Sequence, residues 1–600
     1  MNRGFAILLL CAPIAFGQKS RVPPPPPPAV LLLDAVVTDA RGRPVPGLAS
    51  EDFEISHADQ PQKVARLTWF DTRSHTAKTA TPPAAPNLSP VDIRRNIVLI
   101  VDDLGLSPES TVTMQRLLHT FVEEQLAPDD WAMIVRTSSG SGWEQQLTTD
   151  HRALAAQIEH VHPLGRGLSD AAYAGAVWQC VRWATDGLYS VPGRKAVVLL
   201  SEHLQSALPG NDSEHEFVQR SMALAAHRAM MVFYTVDPRG PAELPPGSML
   251  AWLVKETGGM FAPDLPSVLR DQEGYYVIEF RPAKEGMATT PAVLQLHGKV
   301  GILRWRFGFL PREQPQRAPV PLDRTTGWQQ ALTGATGGAE IRTRVTASFA
   351  GFSRAGAQID CLVHIDAHDL SVVRSLKGTR SLSAEVQIAV YGDSGRVTSP
   401  PGRTYALTLE DAGYGKALEQ GLVYNVRLTL PNPGGYQVRA VVADGIADRF
   451  GSVMQFLEVP SANQGRFSVS GLLVKADTPA SPPDAAGAAL SDLAAIRIYQ
   501  PGATINFSYG VFNAVISPEK KSRLNVHTRI YATGRLLYDG RPIDLEFSDA
   551  NTTRIVGGKV QLDSRISPGE YVIEVEVTDL LAKADTPHTA VQFITFEVRE

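Results

Sequence analysis

Carboxylates follow two strongly apolar segments of the sequence at the points where these segments end. Asp102 and Asp103 come directly after the run 97–101, and Glu202 comes soon after the run 196–200. Oxygen ligands of this kind suit Mg²⁺ or Ca²⁺. If both runs are strands of one parallel sheet, their carboxyl ends border the same crevice. The sequence therefore predicts that these three side chains converge on one candidate cation site.

A second group of metal-ligand residue types lies further along the chain. Cys361, His364, Asp366 and His368 fall in one strand-like segment. Alternation along a strand places the last three on one face, which is a geometry that could hold a metal. A solvated strand face explains the same pattern, and we favour that interpretation.

One short segment resembles the nucleophile segment of trypsin-like proteases. Gly392-Asp393-Ser394-Gly395 lies between two β-rich runs, where a hairpin turn is the simpler explanation. We find no companion histidine and aspartate framework around it. The sequence also lacks a Gly-x-Ser-x-Gly elbow, a His-Glu-x-x-His motif, a phosphate-binding P-loop and a Cys-x-x-Cys pair.

The elements that must position the carboxylates begin at Asn96, where strands and helices start to alternate. Predicted strands cover 97–101, 131–135, 196–200 and 230–236, with late strands at 275–280 and 303–309. Ser107 is a good N-cap for the first helix, and further helices are predicted near 151–161, 168–185, 214–228 and 248–257. This alternation predicts a doubly wound parallel sheet with helices on both faces.

The order of these elements resembles that of a von Willebrand factor type A (VWFA) domain, and more narrowly the secreted VWFA-related proteins typical of acidobacteria. The resemblance covers about residues 30–310. The matching pieces are Val37-Thr-Asp39-Ala-Arg-Gly42, Asp52-Phe53-Glu54, Asp102-Asp103-Leu104, Leu168-Ser-Asp170-Ala171 and Pro192-Gly-Arg-Lys-Ala-Val-Val-Leu-Leu-Ser201. The resemblance implies a divalent cation held by an Asp-x-Ser-x-Ser loop, a separate threonine and a later aspartate.

This sequence departs from that cation-binding pattern at nearly every position. Counted from Asp102, the two serine positions are leucines; counted from Asp103, they are Gly105 and Ser107. The place of the threonine is taken by Arg166, whose charge would repel a metal and could pair with Asp102 or Asp103. Glu202 replaces the later aspartate. We therefore expect a degenerate metal site, formed by the residues Asp102, Asp103, Ser107 and Glu202, beside a binding face that contains Arg166, Ser201 and His203.

Short strands separated by turns make up the other predicted parts of the chain. Residues 30–71 predict a small N-terminal β unit, and 96–311 the VWFA-like domain. After about residue 325 the predicted helices stop, and two β-sandwich domains are expected at 338–460 and 465–600. Pro433-Gly-Gly-Tyr436 and Pro568-Gly-Glu-Tyr571 form a weak internal repeat near the ends of these two domains. The predicted fold class is thus multidomain α/β plus all-β.

The N-terminus predicts export. Residues 1–17 combine Arg3, an apolar run and small residues before Gln18, as a cleavable signal peptide does. Cys11 leaves lipid anchoring open as an alternative. Residues 18–29 are a proline-rich linker. No later stretch is apolar for long enough to span a membrane, and a net charge of −5 gives no basic footprint for nucleic acid.

These observations favour a non-enzymatic exported protein that binds a protein partner on the cell surface or in the periplasm. A divalent-cation-dependent adhesin is the first alternative, and a hydrolase with an unrecognised site is the second. Cys180 and Cys361 remain after cleavage and fall in different predicted domains. We expect both to be buried free thiols rather than a disulfide.

Overall fold

The structure is a computed structural model. It describes residues 31–599 except for the segments 80–93, 139–146, 189–190, 203–218, 220–221, 242–248, 282–291, 298–300, 307–326, 329–330, 333–337, 393–396, 399–401, 461–465, 476–494, 550–552 and 584–587 and the single positions 75, 192, 224, 228 and 377. The predicted signal peptide, Cys11 and the proline-rich linker lie outside the described residues.

The described part of the chain is a mixed α/β protein. Its strands are β1 (Leu31–Thr38), β2 (Phe53–His57), β3 (Gln60–Gln62), β4 (Val64–Asp71), β5 (Thr76–Thr79), β6 (Asn96–Val101), β7 (Trp131–Arg136), β8 (Lys195–Leu200), β9 (Met231–Val236), β10 (Gly274–Phe280), β11 (Ala292–Leu296), β12 (Ile302–Arg306), β13 (Thr343–Ser353), β14 (Gly356–Ile365), β15 (Val372–Arg374), β16 (Arg380–Gly392), β17 (Val397–Thr398), β18 (Arg403–Leu409), β19 (Leu422–Leu430), β20 (Gly434–Asp444), β21 (Phe450–Val459), β22 (Ser468–Val469), β23 (Leu473–Val474), β24 (Ile498–Tyr499), β25 (Thr504–Phe512), β26 (Ser522–Ala532), β27 (Arg535–Asp539), β28 (Ile543–Phe547), β29 (Thr553–Gln561), β30 (Gly569–Asp579) and β31 (Thr589–Val598). Its α-helices are α1 (Pro108–Thr120), α2 (His151–Ile158), α3 (Asp170–Gly187), α4 (Met249–Glu256), α5 (Leu265–Asp271) and α6 (Asp411–Gln420). A π-helical turn at Phe121–Gln125 continues α1, and 3-10 turns lie at Ser50–Asp52 and Ala367–Asp369. The helix predicted near 214–228 lies mostly outside the described residues.

Four strands form a parallel sheet in the order β7-β6-β8-β9. All residues of β6, β8 and β9 are buried, which explains why these strands are continuous apolar runs in the sequence. The chain order makes the gap between β6 and β8 the topological switch point of this sheet. The sequence predicted this sheet and the strands after which the carboxylates come.

The sheet is covered by helices on both faces, as predicted. Successive residues of β6 point to opposite sides, so Val98 and Ile100 join one apolar core while Ile97 and Leu99 join another. The first core is completed by α3 and α4, and the second by α1, α2 and α5. The parallel sheet is therefore buried on both sides and holds the strand ends rigidly.

The late strands differ from the prediction that placed them with the α/β elements. β10 and β12 both pair antiparallel with β1, in a sheet of order β12-β1-β10-β4-β5. β11 pairs with β2 in a smaller sheet, and the two sheets enclose a common apolar core. The N-terminal β unit thus includes strands that follow the parallel sheet in the chain. β5 lies between the predicted bounds of the N-terminal unit and the α/β domain, and it extends the first sheet beyond β4.

The region after residue 338 contains two double-sheet units, each with one apolar core. In the first, the sheet β13-β14-β19 packs on a sheet built around β15-β16-β20-β21. In the second, the strands around β25 pack on the sheet β24-β31-β30-β26-β27. These arrangements fit the predicted β-sandwiches. One expectation was wrong, because α6 forms within the first unit; Gly413 and Gly415 weaken its helical pattern in the sequence.

The predicted internal repeat has a structural counterpart. Gly434 begins β20 and Gly569 begins β30, and both glycines have a positive φ, at 136° and 153°. Two residues later, the Tyr436 hydroxyl donates to the carbonyl of residue 432 at 2.8 Å, and the Tyr571 hydroxyl donates to that of residue 567 at 2.6 Å. A long strand in each unit therefore starts with the same local arrangement, a glycine with positive φ and a tyrosine whose hydroxyl bonds to a preceding backbone carbonyl.

Candidate functional site

The site begins at the carboxyl end of β6, where Asp102 and Asp103 are both fully buried. The Thr137 hydroxyl, just after the neighbouring strand β7, lies 3.0 Å from Oδ1 of Asp102 and 3.0 Å from Oδ1 of Asp103. The Ser201 hydroxyl, just after β8, donates to Oδ2 of Asp102 at 2.7 Å. The Gly105 amide donates to the same aspartate at 3.1 Å. Three adjacent segments of the sheet edge thus converge on this acidic pair.

Asp103 is held by a second set of hydrogen bonds. Besides the contact with Thr137, it accepts the backbone amide of Ser138 at 2.8 Å and the hydroxyl of the same serine. Burial raises the pKa of Asp103, while the charge of Arg136 and the hydrogen bonds from Ser138 and Thr137 oppose that rise. These hydrogen bonds offset part of the free-energy cost of keeping this carboxylate out of water.

Ser107 and Glu202 form a second group of contacts. The Ser107 amide donates to Oε1 of Glu202 at 2.6 Å, and the hydroxyls of Ser107 and Ser110 both reach Oε2. Ser107 also accepts the Ser110 amide at 3.2 Å, so the predicted N-cap of α1 is confirmed. Glu202 therefore stabilises the start of α1 through three donors.

Arg166 does not pair with Asp102 or Asp103, contrary to our expectation. Its guanidinium reaches Glu574 at 2.8 Å and Glu576 at 2.6 Å, both on β30 of the second β-sandwich. The hydroxyl that meets the aspartates comes instead from Thr137.

The two β-sandwich units close over this edge of the parallel sheet. The Phe456 amide of β21 donates to the carbonyl of Ser138 at 2.7 Å, next to the buried aspartates. The Ser169 hydroxyl donates to Glu458 at 2.8 Å. On the second unit, Glu570 contacts the imidazoles of two histidines that follow α2, His160 and His162. The strand-end edge is consequently an internal domain junction.

Among the residues predicted as a binding face, Ser201 is buried and donates to Asp102. Half of the Arg166 side chain is exposed, although its charge is paired with β30. His203 lies outside the described residues. The sequence reasoning missed Thr137, Ser138 and Ser110. Polar residues directly after β7 were the available signal, since carboxyl ends of parallel strands share one edge.

The predicted metal ligands fall into the two hydrogen-bonded groups just described. Within the described ranges, no group of three or more His, Cys, Asp or Glu residues is arranged to hold a metal ion. A cation between Asp102 and Asp103 would compete with the hydroxyl and amide hydrogens that these carboxylates accept. In the described structure these two carboxylates act as hydrogen-bond acceptors.

The structure also bears on the two other candidate sites from the sequence, the histidine-rich segment 361–368 and the turn that contains Ser394. His364 is buried and contacts the carbonyl of Gln420 at 3.0 Å, and burial lowers its pKa to about 4. Asp366 follows the end of β14 and caps a 3-10 turn through the His368 amide. The three residues therefore do not share one strand face, exposed or metal-binding. Ser394 lies outside the described residues; β16 and β17 on either side of it pair antiparallel, which fits a hairpin.

The predicted free thiols are confirmed, since Cys180 and Cys361 are both unpaired and buried. None of the helices in the described part of the chain combines the length and hydrophobicity that crossing a membrane requires.

Comparisons with known proteins identify no family. No family model and no curated protein matches this chain. Among solved structures, β-glucuronidase 2 of Bacteroides uniformis, covalently bound to cyclophellitol-6-carboxylate aziridine, matches with a TM-score of 0.16 and 11% identity. The match covers 40% of this chain and 26% of that chain, so it spans about a quarter of the glucuronidase. A similarity this low carries no argument about fold or activity.

Proposed function

We propose that this chain is an exported, non-enzymatic protein-binding or scaffold protein. In this proposal a VWFA-like domain with a degenerate metal-ion-dependent adhesion site is followed by two β-sandwich domains. The observation that carries the proposal is the state of the strand-end carboxylates. Asp102 and Asp103 are fully buried and accept hydrogen bonds from the hydroxyls of Thr137, Ser138 and Ser201. A carboxylate satisfied in this way gains little from a cation.

Two features support the VWFA-like part of the proposal. The strand order β7-β6-β8-β9 brings the segment after β6, which carries the resemblance, to the switch point of the sheet. A threonine hydroxyl from the next strand end reaches both aspartates. The inference from these features to a binding role rests on analogy between folds.

The scaffold part of the proposal rests on how the sandwiches meet the parallel sheet. Arg166 joins the loop after α2 to Glu574, whose side chain is only 2% exposed. Phe456 and Glu458 join the first sandwich to the same region. A recognition surface for a protein partner would then lie outside the strand-end edge, while this edge fixes the domains relative to one another.

A thermal-shift titration with Mg²⁺, Mn²⁺ and Ca²⁺ tests the degenerate-site proposal. We expect the mature protein to show no saturable change in melting temperature with any of the three cations. Asp563→Ala, which removes a carboxylate that is 59% exposed, is the control for nonspecific effects. A saturable stabilisation that persists in Asp563→Ala and is lost in Asp102→Ala would instead favour the cation-dependent adhesin.

A pull-down from native envelope and secreted fractions tests whether the chain binds a protein partner without a divalent cation. The bait is the mature protein, and the capture is run in parallel with EDTA and with about 2 mM Mg²⁺ and Ca²⁺, a concentration at which weak extracellular cation modules are occupied. The proposal predicts a partner that is captured equally under both conditions. A partner captured only with cations would contradict the cation-independent role.

A further inference from the structure

A cavity of about 630 Å³ lies where the α/β part and the two β-sandwiches meet. Its walls include β13 and β21 of the first sandwich, β31 of the second, and the segment after α2. Cavities of a few hundred cubic ångströms at domain junctions are common sites for small molecules. The cavity borders the strand-end site through Ser138, but neither buried aspartate lines it.

The most informative residue in the cavity wall is Arg497, which directly precedes β24. Its Nη1 donates to the carbonyl of Thr595 at 3.3 Å, and its Nη2 donates to the hydroxyl of Thr346 at 3.1 Å. Its Nε is buried and has no hydrogen-bond partner. Both acceptors are uncharged, and among the described residues no carboxylate forms an ion pair with this guanidinium. Arg497 thus links the two sandwiches while its charge stays uncompensated.

The surroundings of Arg497 make that charge unfavourable. Burial lowers the pKa of Arg497 to about 10; the nearby Tyr499 opposes this shift, and the like charge of Arg344 adds to it. Arg344 also lines the cavity, as does Arg466. Arg497 is partly buried, and its Nε is fully so. An uncompensated cation withdrawn from water costs folding free energy, so a counter-charge supplied from outside would be favourable.

The acidic residues of the cavity wall are already engaged with other groups. These pairs are Glu159 with His119, Glu458 with Ser169, Glu570 with His160 and His162, and Glu597 with Arg599. None of these carboxylates therefore neutralises Arg497. The cavity keeps a positive wall, with the partly buried side chains of Leu457 and Phe593 as its apolar part.

We infer that this cavity binds a small organic anion, whose carboxylate or phosphate group pairs with the guanidinium of Arg497. A guanidinium recognises either group through paired N–H donors. Arg344 and Arg466 add positive charge at the same wall, and Leu457 and Phe593 contact the apolar body of the ligand. Because the walls come from three parts of the chain, a bound anion also stabilises their arrangement.

The inference is tested by thermal unfolding of the mature protein with citrate and, in a separate arm, with inorganic phosphate. Sodium chloride at matched ionic strength is the reference. We expect a saturable rise in melting temperature with at least one anion beyond the effect of chloride, and the arm that gives it identifies the preferred group. Arg497→Gln should weaken the apparent affinity by about tenfold or more, the effect of losing a charged hydrogen bond of about 1.5 kcal/mol. Arg565→Gln, at a side chain that is 90% exposed, should keep the full effect.

The stability of the variants without anion separates a ligand site from a structural link. Removing an uncompensated, partly buried charge should leave Arg497→Gln as stable as the wild type or more so, whereas a purely structural link predicts a loss. If Arg497→Gln does not fold, Arg466→Gln tests the anion site instead. We expect this variant to bind the anion about threefold more weakly, as for the loss of one partly screened charge. The inference is overturned if neither anion stabilises the wild type beyond chloride, or if the response is unchanged in both variants. These outcomes are independent of the cation titration.

Discussion

Replacing Thr137 by valine removes one hydroxyl from the buried acidic pair and keeps the shape of the side chain. The hydroxyl lies 3.0 Å from both aspartates and accepts the Leu104 amide at 3.3 Å. A hydrogen bond to a charged group contributes about 1.5–3 kcal/mol, and an unsatisfied buried amide costs about 1 kcal/mol more. We therefore expect Thr137→Val to lower the free energy of unfolding by about 2.5–4 kcal/mol.

Urea denaturation followed by tryptophan fluorescence measures this loss, because Trp178 and Trp183 lie buried in α3 beside the parallel sheet. Thr113→Val is the matched control, since its exposed hydroxyl bonds only to a carbonyl within α1, and it should change stability by less than about 0.5 kcal/mol. If Thr137→Val costs no more than Thr113→Val, the assignment of this hydroxyl to the buried carboxylates is refuted.

The pH dependence of the Thr137→Val loss provides a second check. Burial raises the pKa of Asp103, so the folded state binds a proton more tightly than the unfolded state does. Stability from this group therefore falls as the pH rises from the ordinary aspartate pKa through the folded pKa. Without the Thr137 hydroxyl the ionised form is still less favoured. The deficit of the variant should thus be largest at neutral pH and should shrink on acidification; a deficit that is constant with pH would contradict this reasoning.

Three further outcomes are expected. A Cβ at Gly165 would stand 1.7 Å from a backbone carbonyl oxygen, so Gly165→Ala should lower the free energy of unfolding in urea by about 1–3 kcal/mol. Gly415 lies in α6 with no atom near the added Cβ, so Gly415→Ala should raise this free energy by up to about 1 kcal/mol. Equal effects of the two substitutions would contradict the packing around Gly165. Although burial alone would raise it, contacts with the imidazoles of His160 and His162 hold the pKa of Glu570 well below its usual range, so its stabilisation is complete above about pH 4.3 and is lost as the pH falls through the folded pKa. Glu570→Gln should lack this acid-side loss, as measured by urea denaturation between about pH 7 and pH 3. Burial raises the pKa of the Cys180 and Cys361 thiols, so neither should react with dithiobis(nitrobenzoic acid) until the protein is unfolded, and rapid labelling of the native protein would contradict their burial.

The parallel sheet was predictable from the sequence because its strands are buried on both faces. Residues 97–101 and 196–200 are uninterrupted apolar runs, a pattern that requires cover from helices on both sides. The N-cap at Ser107 was predictable for a similar reason, since capping depends on neighbours in the chain. These features depend on local pattern alone.

The partners of the late strands were not predictable in this way. The alternation of β10 indicates a strand but does not say that it will pair with β1 rather than join the parallel sheet. The same limit applies to Arg166, whose partners Glu574 and Glu576 are some four hundred residues away in the chain. Long-range pairs of this kind leave no periodic signal in one sequence.

The candidate site was predictable only in part. Asp102, Asp103 and Glu202 were found because they follow apolar strands, and they do come at the expected edge of the sheet. Thr137 and Ser138 follow β7 in the same manner, but a hydroxyl is a weaker chemical signal than a carboxylate. The closure of the edge by the sandwiches depends on domain packing, which no segment of the sequence encodes alone.

Hydrogen–deuterium exchange of the intact mature protein tests most directly the central claim that the chain itself closes the strand-end edge. The amides of Asp102, Gly105, Ser107 and Ser138 all donate to acceptors within the protein. We predict that peptides covering 102–107 and 131–138 exchange at least about a thousandfold more slowly than the same peptides of the unfolded protein, as expected for a region that opens only with substantial unfolding. Exchange of these peptides at nearly the unfolded rate would show an open edge and would contradict the account.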